Sequence, residues 1–102
     1  MTNIVSDRFD SLVNKFFSGC DKDYVITLLT EQCGNNLPLP EKYSINELER
    51  IRFAAIKISD GNIDGLKIAI DLANVDWRDL LVRAGFADDV NSHNKWADTV
   101  LL

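Results

Sequence analysis

Residues 44–61, SINELERIRFAAIKISDG, decide how the fold is read. Ser44 and Glu47 stand in the S-x-x-E spacing of a capping box, where each side chain accepts from the other residue's backbone N–H at a helix start. Tyr43 and Leu48 are placed for the accompanying hydrophobic staple. Leu48, Ile51, Ala55 and Ile58 then recur at helical spacing, and Phe53, Ala54 and Ile56 widen the stripe until the helix is apolar on most sides past Arg52. A helix of this kind needs neighbours around it, so the reading makes it central, ending at Asp60-Gly61. The same width admits a second arrangement, a structural homo-oligomer in which this helix packs against a copy of itself.

Working outward, the 3.6-residue period continues in both directions. Val5, Phe9, Leu12, Val13, Phe16 and Phe17 form one stripe that ends at Gly19. Asp21 stands at the N-cap of a second segment carrying Val25, Leu28 and Leu29, which stops at Gly34. Beyond the central helix, Ile63, Leu66, Ala69, Ile70 and Ala73 predict a fourth helix to Asn74. Asp76 caps a fifth with Trp77, Leu80, Leu81 and Ala84, ended by Gly85. Val90, His93, Ala97 and Val100 align on a last helix, with Trp96 and Leu101 beside them. Sustained apolar–polar alternation is missing, so the expected fold is all-α: a compact bundle of five to six short helices. Both prolines, Pro38 and Pro40, fall with Gly34, Asn35 and Asn36 in the one linker, residues 34–43. The part before it is too short for a core of its own, so residues 1–102 are read as a single domain with an internal hinge.

Composition limits the function classes. Hydrophobic residues make up 46% and charged residues 26%, the balance of a globular chain. A chain of 102 residues buries roughly 60–70% of its unfolded surface, enough for a core but not for a deep cleft as well. The formal charge of −5 works against phosphate neutralisation, so direct nucleic-acid binding is not expected. The start lacks a signal-peptide pattern and no apolar run approaches the roughly 20 residues of a membrane span, so a cytoplasmic protein without membrane partners is expected. Cys20 and Cys33 form no CxxC and no Cys/His cluster, and two reduced thiols are the reading.

The segment DGNIDGLKIAID, residues 60–71, carries the sharpest motif. Asp60, Asn62 and Asp64 occupy alternate positions, Gly65 follows them and Asp71 closes the twelve. In this it resembles an EF-hand loop, and the resemblance implies a calcium site built from Asp60, Asn62, Asp64 and Asp71. It covers these twelve residues alone. Lys67 stands where the family has an apolar β-branched residue, and Asp71 is shorter than the closing glutamate. An alternative uses the same residues: Asp60-Gly61 end one helix, Asn62 caps the next and Asp64 favours its first turn through the helix dipole.

Other constellations are thinner. Residues 63–86 could form a helix-turn-helix, but Asp76, Asp79, Asp88 and Asp89 crowd the second helix around Arg78 and Arg83, which repels phosphate. His93 is the default general base, yet no nucleophile, glycine-rich elbow or oxyanion sequence accompanies it. It is read as lying at the margin of the last apolar stripe, its ring partly packed and its polar atom solvated. No catalytic residues and no organic cofactor are assigned, and the protein is read as not an enzyme. The favoured expectation is an acidic protein-binding module, in its concrete form an inhibitor or immunity-type protein that masks a basic partner. Its contact residues would be Asp76, Asp79, Asp88, Asp89 and Trp96, the last as an exposed aromatic anchor.

Overall fold

Three of the helices begin after a side chain that accepts from one of the first free backbone donors. In the computed structural model, residues 6–19, 21–33 and 45–101 are described. Helix α1 (Asp7–Phe16) begins where Ser6 Oγ accepts from Phe9 N at 3.1 Å. Helix α2 (Lys22–Gln32) begins where Asp21 Oδ1 accepts from Tyr24 N at 3.2 Å. After α3 (Ile45–Ser59), Asn62 Oδ1 accepts from Gly65 N at 3.0 Å to open α4 (Ile63–Ala84). Helix α5 (Ser92–Val100) follows a short non-helical stretch. These five helices are the regular structure of the described residues, which contain no strand.

The expected division at Asp76 exists as a kink inside α4 rather than as a gap. Asp76 has φ −156° and ψ 95°, and its Oδ1 accepts from Arg78 N at 3.1 Å. The aspartate therefore caps the second arm of α4 in the manner of an N-cap, which is why five to six segments could be counted. At the far end Gly85 is left-handed, with Gly85 N donating to Val82 O and Phe86 N to Leu81 O, the pair of bonds of a Schellman motif. The linker at 34–43, the Ser44 end of the capping box and the Tyr43 end of the staple lie outside the described residues.

The core is organised around α3. Ile51, Phe53, Ala54, Ala55 and Ile56 are all at most 1% exposed. Against them α4 sets Leu66, Ala69, Ile70, Ala73, Leu80, Leu81 and Ala84, α1 sets Phe9, Leu12 and Val13, and α5 sets His93 and Ala97. Helix α2 adds Val25 and Leu29. Burying each large side chain contributes about 1.5–3 kcal/mol, so the breadth of the α3 stripe is the largest single reason for this arrangement. Ile51, Phe53, Ala54, Ala55 and Ile56 of α3 are covered within the chain itself. Among the described residues, no helix is long and apolar enough to cross a membrane.

Candidate functional site

Helix α3 carries three cations amid its apolar residues, and each ends in a backbone carbonyl. Arg52, only 4% exposed, donates from Nε to Cys33 O at 3.0 Å and from Nη2 to Thr30 O at 3.4 Å, at the C-terminus of α2. Lys57 Nζ donates to Ala84 O at 2.7 Å and stands 5.0 Å from the Phe86 ring centroid. Arg50 Nε donates to Phe86 O at 3.1 Å, and its Nη2 reaches both Phe86 O and Ala87 O. The last carbonyls of a helix lack intrahelical partners and lie at the negative end of its dipole, so cations there are doubly favoured. Beside Arg52, the buried Cys33 thiol is pushed up to about 12 by desolvation, with the guanidinium opposing. A thiol of this kind stays protonated and is a poor nucleophile.

The proposed contact aspartates lie along the second arm of α4 and the loop after it. Asp79 Oδ2 accepts from Arg83 Nε at 3.3 Å, one helical turn on. Asp89 Oδ2 accepts from Lys95 Nζ at 2.7 Å, and its Oδ1 accepts from Asn91 N at 2.8 Å. The Lys95 bond, then the Asn91 bond, hold the Asp89 carboxyl below its usual range. Asp76 caps the α4 arm and stands 3.5 Å from Arg78 Nε. Asp88 is exposed, and no partner is found for it among the described residues. The same stretch exposes two branched apolar side chains, Val82 at 63% and Val90 at 58%. Val90 precedes α5 instead of extending its buried stripe.

Trp96 does not join this surface as an exposed anchor. It is half-buried, and its ring centroid lies 5.6 Å from Phe16, 5.7 Å from Phe86 and 6.4 Å from Phe53. It closes an aromatic cluster contributed by α1, α3, α5 and the segment after α4. His93 belongs to the same cluster, 5.4 Å from Phe53 in an edge-on arrangement and 6.4 Å from Phe86. Contrary to expectation, its ring is not solvated: the residue is 0% exposed, and neither ring nitrogen makes a hydrogen bond of ordinary geometry. Burial is the main cause that lowers its pKa. Arg50 and Arg8 push the same way, and Glu49 and the Val90 backbone oppose.

Residues 60–71 form no wrapping loop. Asp60 and Gly61 turn with φ of 56° and 76°, Asn62 caps, and all residues from Ile63 through Asp71 are helical. Asp64 and Asp71 are thus fixed along a rod instead of converging on Asp60, and the Asn62 side-chain oxygen already accepts from Gly65 N. Among the described residues, no three His, Cys, Asp or Glu side chains gather as a metal would require. Gly65 has a packing reason instead: a Cβ there would stand 2.6 Å from the Ser59 carbonyl oxygen, where α3 and α4 meet. Lys67, at the position that departs from the family pattern, lies 5.6 Å from the Tyr24 ring centroid on α2.

No protein-family model, no curated protein and no solved structure matches the chain. Sequence reading missed the roles of Arg50, Arg52 and Lys57. Their signal was present as cations within an apolar helix, and for Arg52, the buried one of the three, a buried charge requires a polar partner.

Proposed function

We propose that this chain is a non-catalytic protein-binding module that engages a basic partner through Asp79 and Asp88, flanked by Asp76, Asp89, Val82 and Val90. The observation that carries the reading is the exposed Asp88, without a partner among the described residues, in the same stretch as the exposed Val82 and Val90. Exposed carboxylates beside exposed valines suit a partner that offers Lys or Arg together with apolar contact. Charge sets the association rate and selects the partner, and the valines add buried area. In its narrower form, the module inhibits the partner by masking its basic site.

Asp79 and Asp88 are the positions to reverse, because Asp76 and Asp89 accept backbone N–H bonds that shape the local chain. A partner is first captured from extract of the native cell, identified and purified. Binding is then titrated with the unaltered protein and with Asp79→Lys/Asp88→Lys at two salt concentrations. Affinity for the unaltered protein is expected to fall with salt, and the double variant to bind at least about tenfold more weakly with unchanged helicity. Equal affinities, a salt-independent isotherm, or no stoichiometric partner at either salt would each overturn the reading.

A further inference from the structure

We infer that His93 is an acid-sensitive latch that holds α5 against α1 and α3 while neutral and releases it when protonated. The geometry carries this. His93 is 0% exposed, its two nitrogens lack ordinary hydrogen bonds, and its ring is set among Phe53 and Phe86. A neutral imidazole is tolerated in such a place, but an imidazolium would need two acceptors and solvation, where the Val90 backbone offers one acceptor and the aromatic cluster none. Burial is cheapest to undo at α5, which has nine residues and only two buried side chains, His93 and Ala97.

The charged groups around the ring act in both directions. From α3, the Glu49 carboxylate favours the proton and the Arg50 guanidinium opposes it; from α1, Arg8 opposes it. Glu49 accepts from Ser6 Oγ, and Arg50 is held by the carbonyls of Phe86 and Ala87. Arg8 is held by Asn94 O at 3.1 Å, Asn94 Oδ1 at 3.2 Å and the Asp98 carboxylate. From the segment before α5, the Val90 backbone favours the proton, and Asp89 is bound to Lys95. The balance is against protonation in place. The sign follows: with the folded-state pKa lowered, the open state binds more protons, so closure is fully favoured above the open-state value of about 6.5 and weakens as pH falls below it. Opening would uncover Phe16, Phe53 and Phe86 beneath Trp96. The latch does not rest on the partner-binding surface proposed above, although it borders it through Asp89 and Val90.

The chain has a single histidine, so its titration can be assigned without ambiguity. Amide hydrogen exchange of α5 is compared with that of α3 between pH 7.5 and 5.5, corrected for intrinsic rates, in the unaltered protein and in His93→Phe. The open population of α5 is expected to rise by up to about tenfold in all over this range, mostly below pH 6.5, in the unaltered protein and to stay flat in the variant. Flat α5 protection in the unaltered protein, or the same rise in His93→Phe, overturns the latch. Ring NMR of the unaltered protein decides the matter even where the variant fails to fold. A ring that becomes charged at its ordinary pKa while α5 stays protected overturns the proposal, and a ring that becomes charged only as α5 opens supports it.

Discussion

Adjacent residues of α3 bury polar groups in opposite ways. Arg52 carries a full charge at 4% exposure and meets it with two carbonyls at the end of α2. The next residue, Phe53, lies about 100° around the helix and packs on His93, a neutral group at 0% exposure whose nitrogens have no such partners. Fully buried charge is therefore the stable side of this molecule, and fully buried neutral imidazole the conditional one. What separates them is satisfaction, since a polar group out of water costs its desolvation unless a hydrogen bond replaces it.

The sharpest way to break the comparison is to remove the ring between the two flanks. Phe53→Ala leaves a cavity beside His93 and is expected to cost about 3–5 kcal/mol in urea denaturation. It should also blunt the acid response, because water entering the cavity can solvate the imidazole. Arg52→Met comes next, at about 2–3 kcal/mol, since it keeps much of the side-chain volume but leaves the Cys33 and Thr30 carbonyls without their buried donor. That loss should be the same at pH 7.5 and 5.5, because arginine does not titrate there, which distinguishes this flank from the His93 flank. The smallest effect belongs to Arg8→Ala, which removes the tie from α1 to Asn94 and Asp98. A partly exposed ion pair and its accompanying bonds are worth about 0.5–1 kcal/mol by the same denaturation assay. A cost above that of Arg52→Met would reverse the ranking of the two flanks.

Much of the fold was legible because helix signals are local. Asp21, Asn62 and Asp76 accept from the backbone N–H groups that their positions before apolar segments implied, and Gly85 ends α4 as a left-handed cap. The all-α class followed from the spacing of apolar residues. The candidate site was less legible. Trp96 stood beside its stripe by phase alone, yet Phe16 and Phe86, distant in sequence, fold over it. The EF-hand resemblance matched residue types at positions 60–71, but capping by Asn62 and the close approach of Gly65 to Ser59 use those same residues to build a helix junction.

The sequence by itself determined where α2 and α4 begin, where α4 ends and most of the apolar side of each helix, because caps and the 3.6-residue period act over a few neighbouring residues. Only the tertiary structure decided what stands opposite each side chain. Arg50, Arg52 and Lys57 found carbonyls at the ends of other helices, and His93 found aromatic rings. Those partners lie tens of residues apart along the chain, and no local rule couples them; packing of the helices around α3 does.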